Sequence, residues 1–290
     1  MNLFSVDFAN PVLLAAGTCG FGLEVADVVD LEALGGFVTK SVTAEPRAGN
    51  PAPRVAEFGA GMINSIGLAN PGVAEVRRTK LPWLAANIRA TNVWVSVAGH
   101  TIDEYAHVVE QLDACDGFVG FELNLSCPNV GGRPFALDVE ALRQVIERCR
   151  ARTQRPIWAK LAPNDPDLAS TARAAEAAGA DAVTLINTLP GRVLDPRSGR
   201  AAIGAVQGGV SGAALRPVGV QAVAVASKAV SIPVIGVGGI FCTDDALQYL
   251  HAGARLIQMG TASFVEPRAA ERVARALERR PTLPSGVPAA

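Results

Sequence analysis

Short apolar runs rich in Val, Ile and Leu recur along the chain, each closing on small or polar residues and followed by a longer stretch with helical spacing. There are eight: VLLAAG from Val12, GFVTKS from Gly36, VWVSVAG from Val93, FELNLS from Phe121, PIWAKL from Pro156, AVTLINT from Ala182, PVIGVGG from Pro233 and LIQMGTA from Leu256. Between them, LDVEALRQVIERCRAR and DPDLASTARAAEAAGA carry apolar residues at helical intervals behind an Asp that can cap the first turn. Eight alternations predict an α/β fold, a closed (β/α)8 TIM barrel forming one domain over residues 1–290. The repeated AGA before two of the runs suits a glycine cap feeding the next strand. Two connections, Thr43 to Pro82 and Leu189 to Arg216, exceed the ordinary length and predict extended binding loops over the C-terminal face. The end of the chain, from about residue 278, predicts a frayed tail.

Composition narrows the class. Apolar residues make up 49% and charged residues 18%, a mix suited to strands covered on both faces. The net charge is -1 and Lys and Arg form no dense cluster, so no nucleic-acid partner is expected. The opening MNLFSVDFANP lacks a basic region followed by an apolar stretch, so no secretory signal is expected. The most apolar window, Val218 to Phe241, is broken by Gln221, Ser227, Lys228, Ser231 and Pro233, which predicts a cytoplasmic rather than a membrane protein. Cysteines at 19, 115, 127, 149 and 242 and histidines at 100, 107 and 251 form no ligand-spaced pairs, so reduced thiols and no metal are expected.

In such a barrel the residues that close each strand face the active site. Here they include Thr18, Lys40, Ser96, Asn124 to Cys127, Lys160, Asn187, Thr188, Gly238, Gly239, Gly260 and Thr261. The set is amide-rich and poor in acids, which excludes the paired carboxylates of a glycosidase. Glycines at the ends of the seventh and eighth runs suit a phosphate held by bare backbone N–H groups, whether of FMN or of a sugar phosphate. Only four of the 26 basic residues are lysines, and Lys40 and Lys160 end apolar runs. A lysine there can place charge beside the N1 and O2 edge of a flavin, or serve as a Schiff base. Cys115 and Cys149 read as small buried hydrophobes. Cys127 does not: in NLSCPN it is surrounded by amides and a hydroxyl, and a tuned thiol can act as a general base beside a carbonyl.

The segments TKSVT with EPRAGNPAPR, MINSIGLANPG, ELNLSCPNV, AKLAPN, INT, GGVSG, GVGGI and MGTA occur in an order that resembles the class 1 dihydroorotate dehydrogenases, FMN enzymes on a (β/α)8 barrel. The resemblance implies that Cys127 removes a proton from C5 of dihydroorotate while a hydride passes from C6 to flavin N5, with Lys40 touching both flavin and substrate. It places Asn64, Ile66, Gly67, Leu68, Asn124, Asn187 and Thr188 around the pyrimidine and its carboxylate. It places Ala16, Thr18, Ser41, Ser96, Asn124, Lys160, Ile186, Gly212, Gly238, Gly239, Gly260 and Thr261 around FMN, the last four at its phosphate. INTLPGRVLD and QGGVSGAALRP resemble class 1B, which pairs with an iron-sulfur FAD subunit and reduces NAD. SCPNVGGRPFALD resembles the homodimeric, fumarate-using class 1A, and Ser96 stands where class 1B more usually has Asn. The chain resembles class 1B more than class 1A, which implies a homodimeric core. Two alternatives stay open: an FMN enzyme acting on another dihydropyrimidine, and a flavin-free phosphate-binding lyase or isomerase that uses a lysine.

Overall fold

The computed structural model describes residues 1–126 and 134–280. Eight parallel strands close a barrel in chain order: β1 (Val12–Leu14), β2 (Gly36–Val38), β3 (Asn92–Val97), β4 (Gly120–Asn124), β5 (Ile157–Lys160), β6 (Ala182–Leu185), β7 (Val234–Val237) and β8 (Ala254–Met259). Each lies within, or starts no more than two residues ahead of, one of the eight apolar runs.

Alternation along the strands divides the core in two. Outward-facing Val93, Val95, Phe121, Leu123, Ile157 and Ile257 pack beneath the helices. Inward-facing Leu13, Val38, Trp94, Trp158, Ile235 and Leu256 fill the lower barrel. There the rings of Trp94 and Trp158 stack with centroids 3.4 Å apart, and Phe4 from the N-terminal hairpin closes over them. The lower barrel is therefore filled, and the open space inside the barrel lies at the C-terminal ends of the strands.

Helices Ile102–Asp113, Val139–Arg150, Leu168–Ala177, Arg216–Ala229, Thr243–His251 and Ala269–Glu278 follow β3 to β8 in turn. Asp138 and Asp167 cap two of them by accepting hydrogen bonds from Ala141 N and Ser170 N. Gly179 and Gly253 of the AGA segments hold φ of 97° and 109°, as expected of cap glycines. One expectation fails. β1 is followed by only a short 3-10 turn, Leu31–Ala33, because Gly20 and Gly22 interrupt the segment with positive φ. The last helix packs there instead, with Glu271 accepting from Asp30 N at 2.9 Å. Glu278 closes that helix, and the expected tail lies, from residue 281 on, outside the described residues.

The two long connections are more than loops. Val55–Phe58 and Gly61–Asn64 of the first pair with Gly208–Ser211 and Leu189–Gly191 of the second in a four-stranded antiparallel sheet. Asn64 stands opposite Gly209 and Met62 opposite Ser211. This sheet lies over the mouth of the barrel. Among the described residues no helix is long and apolar enough to cross a membrane.

Candidate active site

Between the strand ends and this roof lies a cavity of about 580 Å³. Its walls gather nearly all the residues expected at a site: Ala16, Thr18, Lys40 and Ser41 from the first two strand ends, Asn64 to Leu68 from the roof, and Asn124, Lys160, Ile186, Asn187 and Thr188 from β4 to β6. Gly212, Gly238, Gly239, Gly260 and Thr261 complete the far end. Two expected residues are not among them. Cys127 lies outside the described residues. Ser96 is wholly buried beneath the cavity, with its Oγ 2.8 Å from Ser41 Oγ. Its register explains this: Ser96 pairs with Glu122, one inward position below Asn124. Ser96 thus touches the cavity lining through Ser41.

The amide cluster is held rigidly. Asn187 Nδ2 donates to Asn124 Oδ1 at 2.9 Å and to Ser126 Oγ, while Asn187 Oδ1 accepts from Thr188 N at 2.8 Å. Ser126 Oγ also donates to Asn124 Oδ1 at 2.8 Å. With its oxygen occupied twice, Asn124 turns its NH₂ toward Ser41 and the cavity, where it can donate to a ring carbonyl or carboxylate. Asn70 braces the roof from behind, donating to Leu68 O and Thr43 Oγ1 and accepting from Thr43 N and Gly72 N.

At the opposite end the backbone is bare. Gly239 has φ 68°, and a Cβ there would lie 2.8 Å from Arg216 N, so both conformation and space demand glycine. Around Gly260 a Cβ would meet nothing closer than Ala15 Cβ at 3.5 Å, so the missing side chain leaves room on the cavity side. The buried Tyr249 hydroxyl donates to Gly238 O at 2.6 Å, fixing the turn from beneath. Thr261 Oγ1 and Ser211 Oγ, 2.9 Å apart, join the β8 turn to the roof. The result is a cluster of hydroxyls and free peptide edges suited to a phosphate.

Charge enters from the floor. Lys160 is 5% exposed and its Nζ lies 3.3 Å from Oε1 of Glu122, itself fully buried. Among the described residues no group of three or more His, Cys, Asp or Glu side chains could hold a metal ion. Burial pushes the thiols of Cys19 and Cys149 up to about 12, with Glu24 adding to the effect at Cys19, so both are chemically quiet. Lys228 is exposed on its helix, as expected.

Several cavity residues were not anticipated individually: Arg47, Asn50, Ser65, His100, Ser211, Leu215 and Phe264. Ser126, expected at the strand end in the stretch Asn124 to Cys127, does line the cavity. Glu122, below the cavity, lies on the same inward side of its strand as Asn124.

The family model described as dihydroorotate dehydrogenase matches residues 1–280. A protein of Thermodesulfovibrio yellowstonii named dihydroorotate dehydrogenase B (NAD(+)), catalytic subunit, is 47% identical over 265 residues, which cover 91% of this chain and 87% of the relative. Relatives of the same name from Pelobacter propionicus and Desulforudis audaxviator are 44% and 48% identical, over 96% and 93% of this chain and 92% and 88% of their own lengths. With a match that runs from the first residue through the last helix, the chain belongs to the dihydroorotate dehydrogenase family.

Proposed function

We propose that this chain is the catalytic subunit of a class 1B dihydroorotate dehydrogenase, oxidising (S)-dihydroorotate to orotate in pyrimidine biosynthesis with bound FMN. The carrying observation is the division of one cavity into an amide-lined end built by Asn64, Asn124 and Asn187 and a glycine-lined end built by Gly238, Gly239 and Gly260. The first suits a ring that offers alternating N–H and C=O groups, the second a phosphate. The residues fit FMN: the space beside Gly260 is open, Thr18 Oγ1 donates to Ala15 O at 2.7 Å and keeps lone pairs for a ring N–H, and Lys160 supplies a cation.

When bound, FMN supplies the acceptor for the hydride that leaves C6. The chain does the rest. Asn64, Ile66, Gly67, Leu68, Asn124, Asn187 and Thr188 together hold the pyrimidine ring and its carboxylate. Lys40 reaches both ligands, and Cys127 takes the proton from C5, which the neighbouring C4 carbonyl acidifies. The roof sheet keeps water from the reacting carbons. The relatives' names speak of NAD(+) and of a catalytic subunit, and the reading therefore includes a second, iron-sulfur FAD subunit that passes electrons to NAD, on a homodimeric core.

A Schiff-base lyase is the poorer reading. Nucleophilic lysines are activated in apolar surroundings or beside another cation, whereas Lys160 faces a carboxylate. The test is cofactor release on denaturation together with steady-state rates on dihydroorotate and dihydrouracil. FMN and a preference for dihydroorotate are expected; a colourless protein, or a preference for dihydrouracil, would overturn the assignment.

A further inference from the structure

The layer beneath the cavity is not the aliphatic packing that fills most (β/α)8 barrels. Glu122 on β4 is fully buried and spans the barrel: Oε1 faces Lys160 on β5, while Oε2 accepts from Gln258 Nε2 on β8 at 2.6 Å and from Thr184 Oγ1 on β6 at 3.2 Å. Of these four side chains only Lys160 lines the cavity.

Stability does not account for this arrangement. A buried ion pair often gains nothing over apolar residues of the same volume, since desolvation offsets the attraction. Gln258 Oε1 is also buried without a hydrogen-bond partner, which adds to the cost. What the layer delivers is a fixed lysine. A free lysine stem has much rotamer entropy to lose, and here the ammonium is tethered at 3.3 Å to a carboxylate that two other strands hold in place.

We propose that Glu122 is a positioning residue: its carboxylate, set against Lys160 by Thr184 and Gln258, anchors the ammonium at the flavin edge and sets the flavin's reduction potential. The proposal rests on the flavin reading above. A flavin that accepts a hydride gains negative charge. The field it meets is that of Lys160 partly cancelled by Glu122, so the two residues must act with opposite sign. Glu122→Gln leaves the lysine charge uncompensated and raises the potential. Lys160→Gln leaves the carboxylate alone and lowers it.

The experiment is spectroelectrochemical titration of the FMN-loaded wild-type, Glu122→Gln and Lys160→Gln proteins. Opposite shifts are expected, each at least tenfold in the ratio of oxidised to reduced flavin at fixed potential, or ~30 mV for a two-electron couple. Shifts in the same direction would mark a general disturbance of the floor and overturn the proposal, as would unchanged potentials. Should Glu122→Gln not fold, Thr184→Val reads the same link: with one donor fewer, the carboxylate's charge bears more fully on Lys160, and the potential falls. An unchanged potential in that variant overturns the proposal equally. A wild-type protein that binds no flavin removes the flavin reading itself, and with it this inference.

Discussion

Asn187 at the end of β6 donates to Asn124 at the end of β4 across 2.9 Å, and so fixes which face of the Asn124 amide meets the cavity. Neither side chain could present its donor reliably alone. Ser126 closes the triangle by donating to the same oxygen.

Replacing Asn187 by Asp keeps the shape and removes the donor. Asn124 Oδ1 then faces a carboxylate, and the amide is free to turn. We expect KM for dihydroorotate to rise roughly 10- to 100-fold, in line with ~1–3 kcal/mol for a polar group left unsatisfied, with FMN content unchanged. Steady-state kinetics and the flavin-to-protein ratio check this; loss of FMN would place Asn187 at the wrong end of the cavity.

Cys127→Ser should keep FMN and lose most turnover at neutral pH, because an alcohol is a far weaker base than a thiol. Part of the rate should return as pH rises. A variant that turns over at the wild-type rate at pH 7 would remove Cys127 from the reaction.

Thiol chemistry offers a separate check. Cys19 and Cys149 are buried and pushed up to about 12, so at pH 8 on the order of one molecule in 10⁴ carries either thiolate. Iodoacetamide applied to the native protein should leave both unmodified while the exposed Cys242 reacts. Peptide mass spectrometry reads the sites, and early labelling of Cys19 would contradict the packing of β1 against β2.

The phosphate end depends on Tyr249, whose hydroxyl sits where a Cβ on Gly219 would fall, 1.9 Å away. Gly219→Ala should therefore cost ~1–3 kcal/mol of stability and weaken FMN retention by displacing the bond to Gly238 O. Gly59, with no neighbour within 4 Å of its own notional Cβ, is the control. Thermal melts with and without added FMN measure both effects; equal melting of the two alanine variants would show that Tyr249 is not wedged as described.

How much of this was legible in the sequence follows from range. Strands such as PVIGVGG and LIQMGTA announce themselves because β-branched runs and terminal glycines are local signals, and the strand-end residues then follow from the barrel. The roof was not legible: Gly61–Asn64 pairs with Gly208–Ser211 across more than 140 positions, and neither segment is apolar enough to read as a strand alone. The Lys160–Glu122 pair was hidden for a similar reason. Only the barrel's closure makes Glu122, Thr184 and Gln258 neighbours. Ser96 lies buried against the cavity-lining Ser41, a depth not legible in the sequence because resemblance gives a position along the strand but not how deep its side chain sits.

The most direct test is anaerobic mixing of the purified yellow protein with (S)-dihydroorotate while flavin absorbance is followed. The absorbance should bleach, with one orotate formed for each flavin reduced. A flavin that stays oxidised under excess dihydroorotate, yet bleaches with dithionite, would contradict the proposed reaction.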